Sequence, residues 1–439
     1  MYDFILCSIP KSDVYSPLIG LPILKGVLNN NNYTSKILDF NIELYYCYKT
    51  IFAKHNFTEW TDLDYMFRKQ IDDVLYNNLL EKWANTIVDY NPRFVGFTMF
   101  SSHNYNPLVA LSKLIRQKNP NIKIVVGGPV TKWLGQLLLD KKLIDYYVIG
   151  YGEEAILKII KDEPFVGVND NNRCRKLDLN KTPFPDFSDL DISQYITKDG
   201  LFTYSSRGCT QHCSFCDVND IWNGYNTRAP ERVIEEMMNC YSKYNIRRFE
   251  FCDSLINGNL THMRSLCIKL KLYDFNWQGM FRIRKMNDQD YDLLKDSGCT
   301  LLKMGIESGN EIVRNHMGKY FTNEEVLNTL DNLSRVKINA ALFFVTGYPT
   351  ESEQDHQESK DLIKEISERN YTNISHIRTA PLEIQRTELE SLKDTGGQTE
   401  RYNRYHELRQ YILDKGFNII GDKRINLLVK GYEDKRNIN

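Results

Sequence analysis

The stretch Ser205 to Val218, "SSRGCTQHCSFCDV", places Cys209, Cys213 and Cys216 in a CxxxCxxC spacing, with His212 between two of them. It begins within the last two residues of the strand-like run "LFTYSS", which starts at Leu201. Three thiols on a polar, glycine-containing loop behind a strand are badly placed for a hydrophobic core, where free cysteine usually sits. A structural zinc needs four ligands, usually as two close pairs, and no second CxxC occurs; His212 would need strained geometry to serve as the fourth. Iron-sulfur ligation fits better, because thiolates hold four-iron clusters and short spacings let one loop wrap them. Three ligands for four irons leave one iron open to another molecule.

Downstream of this loop the pattern is regular. Six strand candidates, "LFTYSS", "RFEFCD", "WQGMFRI", "LLKMGIE", "AALFFVTG" and "NISHIRTA", are each followed by helix-like segments at roughly the 30-residue spacing of a βα unit. Six units are too few for the usual eight-fold barrel, so a partial, TIM-like (β/α)6 barrel is expected, with its chemistry at the strand C-termini. Upstream, "YDFILCSIP", "TSKILDFN", "FVGFTMFSS", "IKIVVGGP" and "IDYYVIGYGEEAILKII" alternate with helical stretches such as "NPLVALSKLIRQKNP". Short, nearly all-apolar runs bounded by Gly or Pro read as strands buried on both faces. The fold class is therefore α/β, a Rossmann-like, doubly wound domain at 1–162 followed by the barrel at 200–380. The polar, proline-containing segment 163–199 reads as a linker and 381–439 as a small C-terminal extension with a helix. In the doubly wound sheet a ligand is expected beyond the strand C-termini, where Gly127, Gly128, Gly150 and Gly152 fall.

Composition narrows the classes. The chain has 439 residues, enough for at least two domains, and a formal net charge of -1. Balanced charge argues against a broad grip on a nucleic-acid backbone or an anionic membrane. No run approaches the roughly 20 apolar residues that span a bilayer, and no export signal opens the chain; a cytoplasmic protein is expected. The ten cysteines are diluted through a long chain, unlike a secreted disulfide framework. Cys7, Cys47, Cys174, Cys240 and Cys267 show no paired spacing, and Cys252 and Cys299 read as core thiols.

CxxxCxxC just after the first strand of a βα partial barrel resembles the signature of the radical S-adenosylmethionine enzymes. The resemblance implies that Cys209, Cys213 and Cys216 hold a [4Fe-4S] cluster whose open iron chelates S-adenosylmethionine, which is cleaved reductively to a 5'-deoxyadenosyl radical. It also implies an external electron donor such as flavodoxin or ferredoxin. By the same resemblance Phe215 lies against adenine and Asp253 meets the methionyl amino group. Arg282 or Arg284 pairs with the methionyl carboxylate, and Glu307 and Ser308 bond the ribose or amino acid part between Gly305 and Gly309. Gly347, with Pro349, shapes an adenine contact. His212 has no part in this pattern, and no catalytic residue is assigned.

The doubly wound domain ahead of the barrel, with "VGFTMFSS", "VVGGP" and the connector "TPFPDF", resembles the cobalamin-binding branch of that family. There the nucleotide tail of cobalamin is expected near Ser101, Ser102, Gly127 and Gly128, with the corrin facing the cluster. The motif DxHxxG, which supplies cobalt with a histidine in some cobalamin domains, is absent, and His103 is the one histidine in a suitable loop. The branch implies methylation of an unactivated carbon or phosphorus of a small molecule or natural product. Without cobalamin, cyclisation, rearrangement or oxidation is the alternative. A non-catalytic zinc-binding interaction protein is the competing class, and a nucleic-acid substrate is disfavoured by the charge.

Overall fold

The computed structural model describes residues 2–10, 12–51, 73–382 and 397–419. The chain divides into two compact units, one of Met1–Thr203 with Asp220–Ile246 and the other of Tyr204–Asn219 with Arg247–Asn439.

The first unit is built on a five-stranded parallel sheet of Phe4–Ser8 (β1), Ser35–Asp39 (β2), Phe94–Thr98 (β3), Lys123–Gly127 (β4) and Tyr146–Tyr147 (β5). Its order is β2-β1-β3-β4-β5. The chain lays β2 on one side of β1 and β3 on the other, so the topological switch point lies between β1 and β3. β1 is buried along its whole length. Ile5 and Cys7 pack with Val95, Phe97, Ile124 and Val126 into one cluster with Trp83, Leu108, Leu111 and Ile115 from the helices Asp73–Asp89 and Tyr105–Lys118. Burial on both faces is why β1 and β3 read as continuous apolar runs rather than alternating ones.

The segment 163–199, expected as a linker, has no strand or α-helix but is firmly packed within this unit. Phe187 and Tyr195 are buried. Lys25, from the helix Gly20–Asn30, reaches Asp189 at 2.6 Å and Ser188 at 2.7 Å. Gly26 lets the Phe184 carbonyl approach so closely that a Cβ would lie 2.2 Å from its oxygen.

The second sheet is six-stranded, in the order β13-β12-β11-β10-β9-β6. Its strands are Gly200–Thr203 (β6), Arg248–Phe251 (β9), Asn276–Phe281 (β10), Cys299–Glu307 (β11), Asn339–Thr346 (β12) and Ile374–Pro381 (β13), with the two-residue strands Ser206–Arg207 (β7) and Asn226–Thr227 (β8) between the first two. The pairs from β9 to β13 are all parallel. One face of each strand is sealed by helices and the other is partly open, as in β11, where Leu302, Met304 and Ile306 are buried and Leu301, Lys303 and Gly305 are not. The expected partial barrel is thus observed. The C-terminal helix Gly397–Asp414 buries Tyr405, Leu408 and Ile412, and the Asn418 carbonyl accepts from the Ile377 N–H on β13 at 2.9 Å. The rest of the extension, 383–396 and 420–439, falls outside the described residues.

Candidate active site

The cysteine loop is fixed at its start and at its middle by residues of its own unit. At its start, Asp253, two residues past β9, is 1% exposed. Its carboxylate accepts from the Ser205 N–H at 2.8 Å, the Ser205 hydroxyl at 2.6 Å and the Ser206 hydroxyl at 2.5 Å. Burial pushes this carboxyl up from its usual range, against the pull of those hydrogen bonds. Both oxygens are occupied by the loop, so Asp253 is placed as its anchor.

At the middle of the loop, the Ser214 N–H donates to the Met317 carbonyl at 3.2 Å. The Ser214 hydroxyl meets the Tyr348 hydroxyl at 3.0 Å, and Tyr348 donates to the His316 carbonyl at 3.0 Å. Phe215 packs, partly buried, on Val313, Met317, Tyr348 and Leu382. Gly318 (φ +80°) brings the backbone against the His212 carbonyl, where a Cβ would lie 2.9 Å away. His212 itself is exposed.

The three cysteines are half-buried and free. The Gln211 N–H donates to Cys209 Sγ at 3.4 Å, a loop wrapped round its own sulfur. Burial pushes the Cys216 thiol up to about 11, with Cys213, Asp217 and Cys209 adding to it. Burial also raises the Cys213 thiol, while the nearby cations Lys319 and Arg282 draw it down. Among the described residues no three His, Cys, Asp or Glu side chains converge on one point as ligands of a single ion would. In a four-iron cluster each thiolate takes its own iron, and these three stand on one short loop. The donor set therefore fits a [4Fe-4S] group.

Round Cys213 stand Arg282, Glu307 and Lys319. Arg282 follows β10, and burial lowers its guanidinium while Cys213 and Cys209 raise it; among the described residues no hydrogen bond or ion pair takes its side chain. Arg284 instead donates to the Asn257 carbonyl at 3.0 Å. Asn257, fully buried, clamps the Arg282 backbone with two 2.9 Å hydrogen bonds. Glu307 sits at φ +69° after an irregularity in the β11–β12 pairing. A non-glycine residue in that region is strained, which is commonest at functional sites. Its carboxylate is paired with Lys319 Nζ at 2.7 Å, and Lys319 also donates to the Gly305 carbonyl at 2.9 Å. A Cβ at Gly305 would lie 2.1 Å from Glu307 Oε1 and 2.6 Å from Lys319 Nζ, so a side chain there would push this pair aside.

The remaining expected residues are turned to local partners. The Ser308 hydroxyl accepts from the Asn310 N–H at 3.1 Å, and Gly309 donates to Ser359 Oγ at 2.8 Å. Gly347 (φ +78°) donates to the Glu351 carboxylate at 2.7 Å, with the Arg401 side chain where its Cβ would be. Asn257, Lys319, Tyr348 and Arg401 escaped the sequence reading; the one signal was that "HMGKY" closes a helix and "GYP" follows a strand of the βα units. Cys299 is buried as expected, but Cys252 is exposed and not a core thiol. It lies one residue past β9, and the alternation that buries Phe249, Phe251 and Asp253 turns Cys252 to the open side.

In the first unit, Ser101 and Ser102 leave β3 beside Gly127 and Gly128, which leave β4, with Thr98 paired to Gly127. The Ser101 N–H is taken by Asn104 Oδ1 at 2.8 Å, and Asn104 spans the switch point to the Ile9 carbonyl at 2.9 Å. Gly128 (φ +109°) would set a Cβ 2.7 Å from the Met99 carbonyl oxygen, whereas Gly127 has nothing within 4 Å. Ser102 and Gly128 are exposed. This side-chain-poor cradle at the strand ends fits an extended ligand such as the tail of cobalamin.

Comparison with known proteins agrees with this geometry. Residues 203–363 match the model of the radical SAM superfamily, and residues 10–160 that of the B12 binding domain. An uncharacterized methyltransferase of Pyrococcus horikoshii is 24% identical over 68% of this chain and 70% of its own length. The cytidylyl-2-hydroxyethylphosphonate methyltransferase of Streptomyces wedmorensis is 23% identical over 83% of this chain and 76% of its own. In fold, the chain resembles the radical S-adenosylmethionine methyltransferase TsrM from Kitasatospora setae with cobalamin and [4Fe-4S] cluster bound (TM-score 0.64, 15% identity, 87% of this chain and 75% of that one). It also resembles the cobalamin-dependent S-adenosylmethionine radical enzyme OxsB (TM-score 0.65, 14% identity, 100% and 62%). Among the described residues no helix is long and apolar enough to cross a membrane. The chain belongs to the radical SAM superfamily and carries an N-terminal B12-binding domain, which makes it an enzyme of [4Fe-4S], S-adenosylmethionine and cobalamin chemistry.

Proposed function

We propose that this enzyme methylates an unactivated carbon or phosphorus of a small molecule. The two methyltransferase relatives support the reaction, and the phosphonate methyltransferase among them supports phosphorus as one acceptor. In this reading 1–162 is the cobalamin domain and 200–380 the radical barrel, joined by 163–199 and followed by the extension 381–439. When bound, the cluster and S-adenosylmethionine supply a radical that removes a substrate hydrogen atom, and cobalamin supplies the methyl group.

The chain's own residues take distinct parts. Cys209, Cys213 and Cys216 are the cluster ligands. Arg282, rather than Arg284, holds the methionyl carboxylate, since a half-buried guanidinium beside the cysteines needs an anion. The Glu307–Lys319 pair offers its remaining carboxylate oxygen to the cofactor's ammonium or ribose. Phe215 leaves its open face to adenine, while Asp253 positions the loop. Ser101, Ser102, Gly127 and Gly128 hold the cobalamin tail. A cytoplasmic flavodoxin or ferredoxin supplies the electron. The observation that carries the reading is Arg282, without a side-chain partner among the described residues, set against Cys209 and Cys213 at the strand ends.

The test is anaerobic purification with iron and cobalamin supplied, then metal analysis and a cleavage assay. About four irons per chain, as a four-iron cluster requires, with cobalt bound and 5'-deoxyadenosine formed, is the expected result; Cys213→Ala abolishes both iron and cleavage. Zinc in place of iron, without cleavage, refutes it.

A further inference from the structure

We infer that the open inner face of the six-stranded sheet recognises a substrate oxyanion, a carboxylate or phosphoryl group, through Arg378, with the Phe343 and His376 rings beside it to receive an apolar portion. This rests on the reading above that the strand ends are the reaction site, and it adds the class of molecule admitted.

The inner faces of closed barrels are usually packed with branched apolar side chains. Here the same layer is charged. Strand alternation puts Glu250, Gln278 and Lys303 on the face opposite the buried Phe251, Trp277 and Leu302. Lys303 Nζ is neutralised by Glu250 Oε1 at 2.5 Å, and Gln278 donates to Glu250 Oε2 at 2.6 Å. Across the sheet, Lys303 pairs in register with Ala341 and Ala341 with His376; Gly305 pairs with Phe343 and Phe343 with Arg378. The Phe343 and His376 rings lie 6.2 Å apart at 34°. His376 is held neutral, its imidazole pushed down to about 4 by burial and by the Lys303 and Arg378 cations.

Arg378 is then the surplus charge. Ile377 and Thr379 on either side are buried, whereas Arg378 is exposed. Among the described residues it makes no hydrogen bond or ion pair, and the acid of this face, Glu250, is on β9 and already shared by Lys303 and Gln278. A guanidinium matches carboxylate and phosphoryl oxygens bidentately, and a second cation here would meet Lys303 and Arg378 as like charges. The two arginines therefore divide the work, Arg282 after β10 toward the cofactor and Arg378 on β13 toward the substrate.

The test uses the full-length, cluster-reconstituted protein with S-adenosylmethionine present and no reductant, so that Arg282 is already engaged. Phenylphosphonate, phenylacetate, benzyl alcohol and benzylamine are titrated by calorimetry into the wild type, Arg378→Gln and Arg378→Lys, each checked for an unchanged melt. Saturable binding of an oxyanion but not of the alcohol or amine is expected, weakened about tenfold or more in Arg378→Gln and partly regained in Arg378→Lys. Preference for phenylphosphonate or for phenylacetate tells which oxyanion is meant. Failure of both anions, equal binding of all four probes, or anion binding indifferent to Arg378→Gln overturns the inference. Wild-type cleavage, assayed separately with reductant, keeps the two readings apart: cleavage without oxyanion binding sinks only this inference. Binding without cleavage sinks the proposed function instead.

Discussion

Replacing Asp253 by alanine should release the cysteine loop without touching a cysteine. The carboxylate receives the Ser205 N–H and the Ser205 and Ser206 hydroxyls, and Ser205 is fully buried. The two hydroxyls can rotate toward water that enters the vacated space, but the Ser205 N–H is fixed by the backbone and stays orphaned. Hydrogen bonds to charged groups contribute about 1.5–3 kcal/mol each, and a buried unsatisfied donor costs about 1–3. Against this, removing the carboxylate returns its burial penalty, which is what raises its carboxyl. The net loss is about 2–4 kcal/mol, and at about 2–4 °C per kcal/mol for a unit of this size the melt should fall by about 5–15 °C. Asp253→Asn, a neutral isostere that still accepts the N–H, should lose less than half of that. The assays are a thermal melt of the iron-free protein and the rate of iron loss to a chelator after reconstitution, which should rise in the order wild type, Asn, Ala. An alanine variant that melts with the wild type and keeps its iron equally long would refute the anchor role.

Two further outcomes follow from the same geometry. Arg282→Gln should weaken S-adenosylmethionine about tenfold or more, by loss of a charge-assisted pair, while Arg284→Gln, which loses only its bond to the Asn257 carbonyl, should leave affinity within about threefold and show its effect in the melt; equilibrium binding of the cofactor decides between them, and equal effects would return the two arginines to equivalence. Glu351 is 2% exposed and burial pushes its carboxyl from 4.5 up to about 7. The folded state therefore keeps a proton that the unfolded chain releases, so stability falls as pH rises through that window, by on the order of 3 kcal/mol. Glu351→Gln should flatten the difference between melts at about pH 5 and pH 8, and an unchanged difference would show that Arg404, 3.3 Å from the carboxylate, already cancels the cost of burial.

By itself the sequence determined the strands and the loop. All five strands of the first sheet lie within, and all six of the second overlap, the runs that apolar patterning picks out, because burial on both faces, or on one, is written into consecutive residues. The CxxxCxxC spacing needs only local chain, so the cluster loop was equally legible. What the tertiary structure decided are the pairings between residues far apart in the chain. Arg282 and Arg284 lie two apart with the same chemistry, and only the folding of Asn257 against β10 takes one and leaves the other. Asp253 was legible as a carboxylate at a strand end, but not as the anchor of a loop 48 residues earlier in the chain. Lys319 was missed because its partners, Gly305 and Glu307, reach it through a strained turn. Cys252 was misplaced because free cysteine is generally buried, whereas at a strand end a single step of alternation turns it outward. Period and spacing are local properties that the sequence carries, while a side chain's partner depends on which distant segment the fold brings to it.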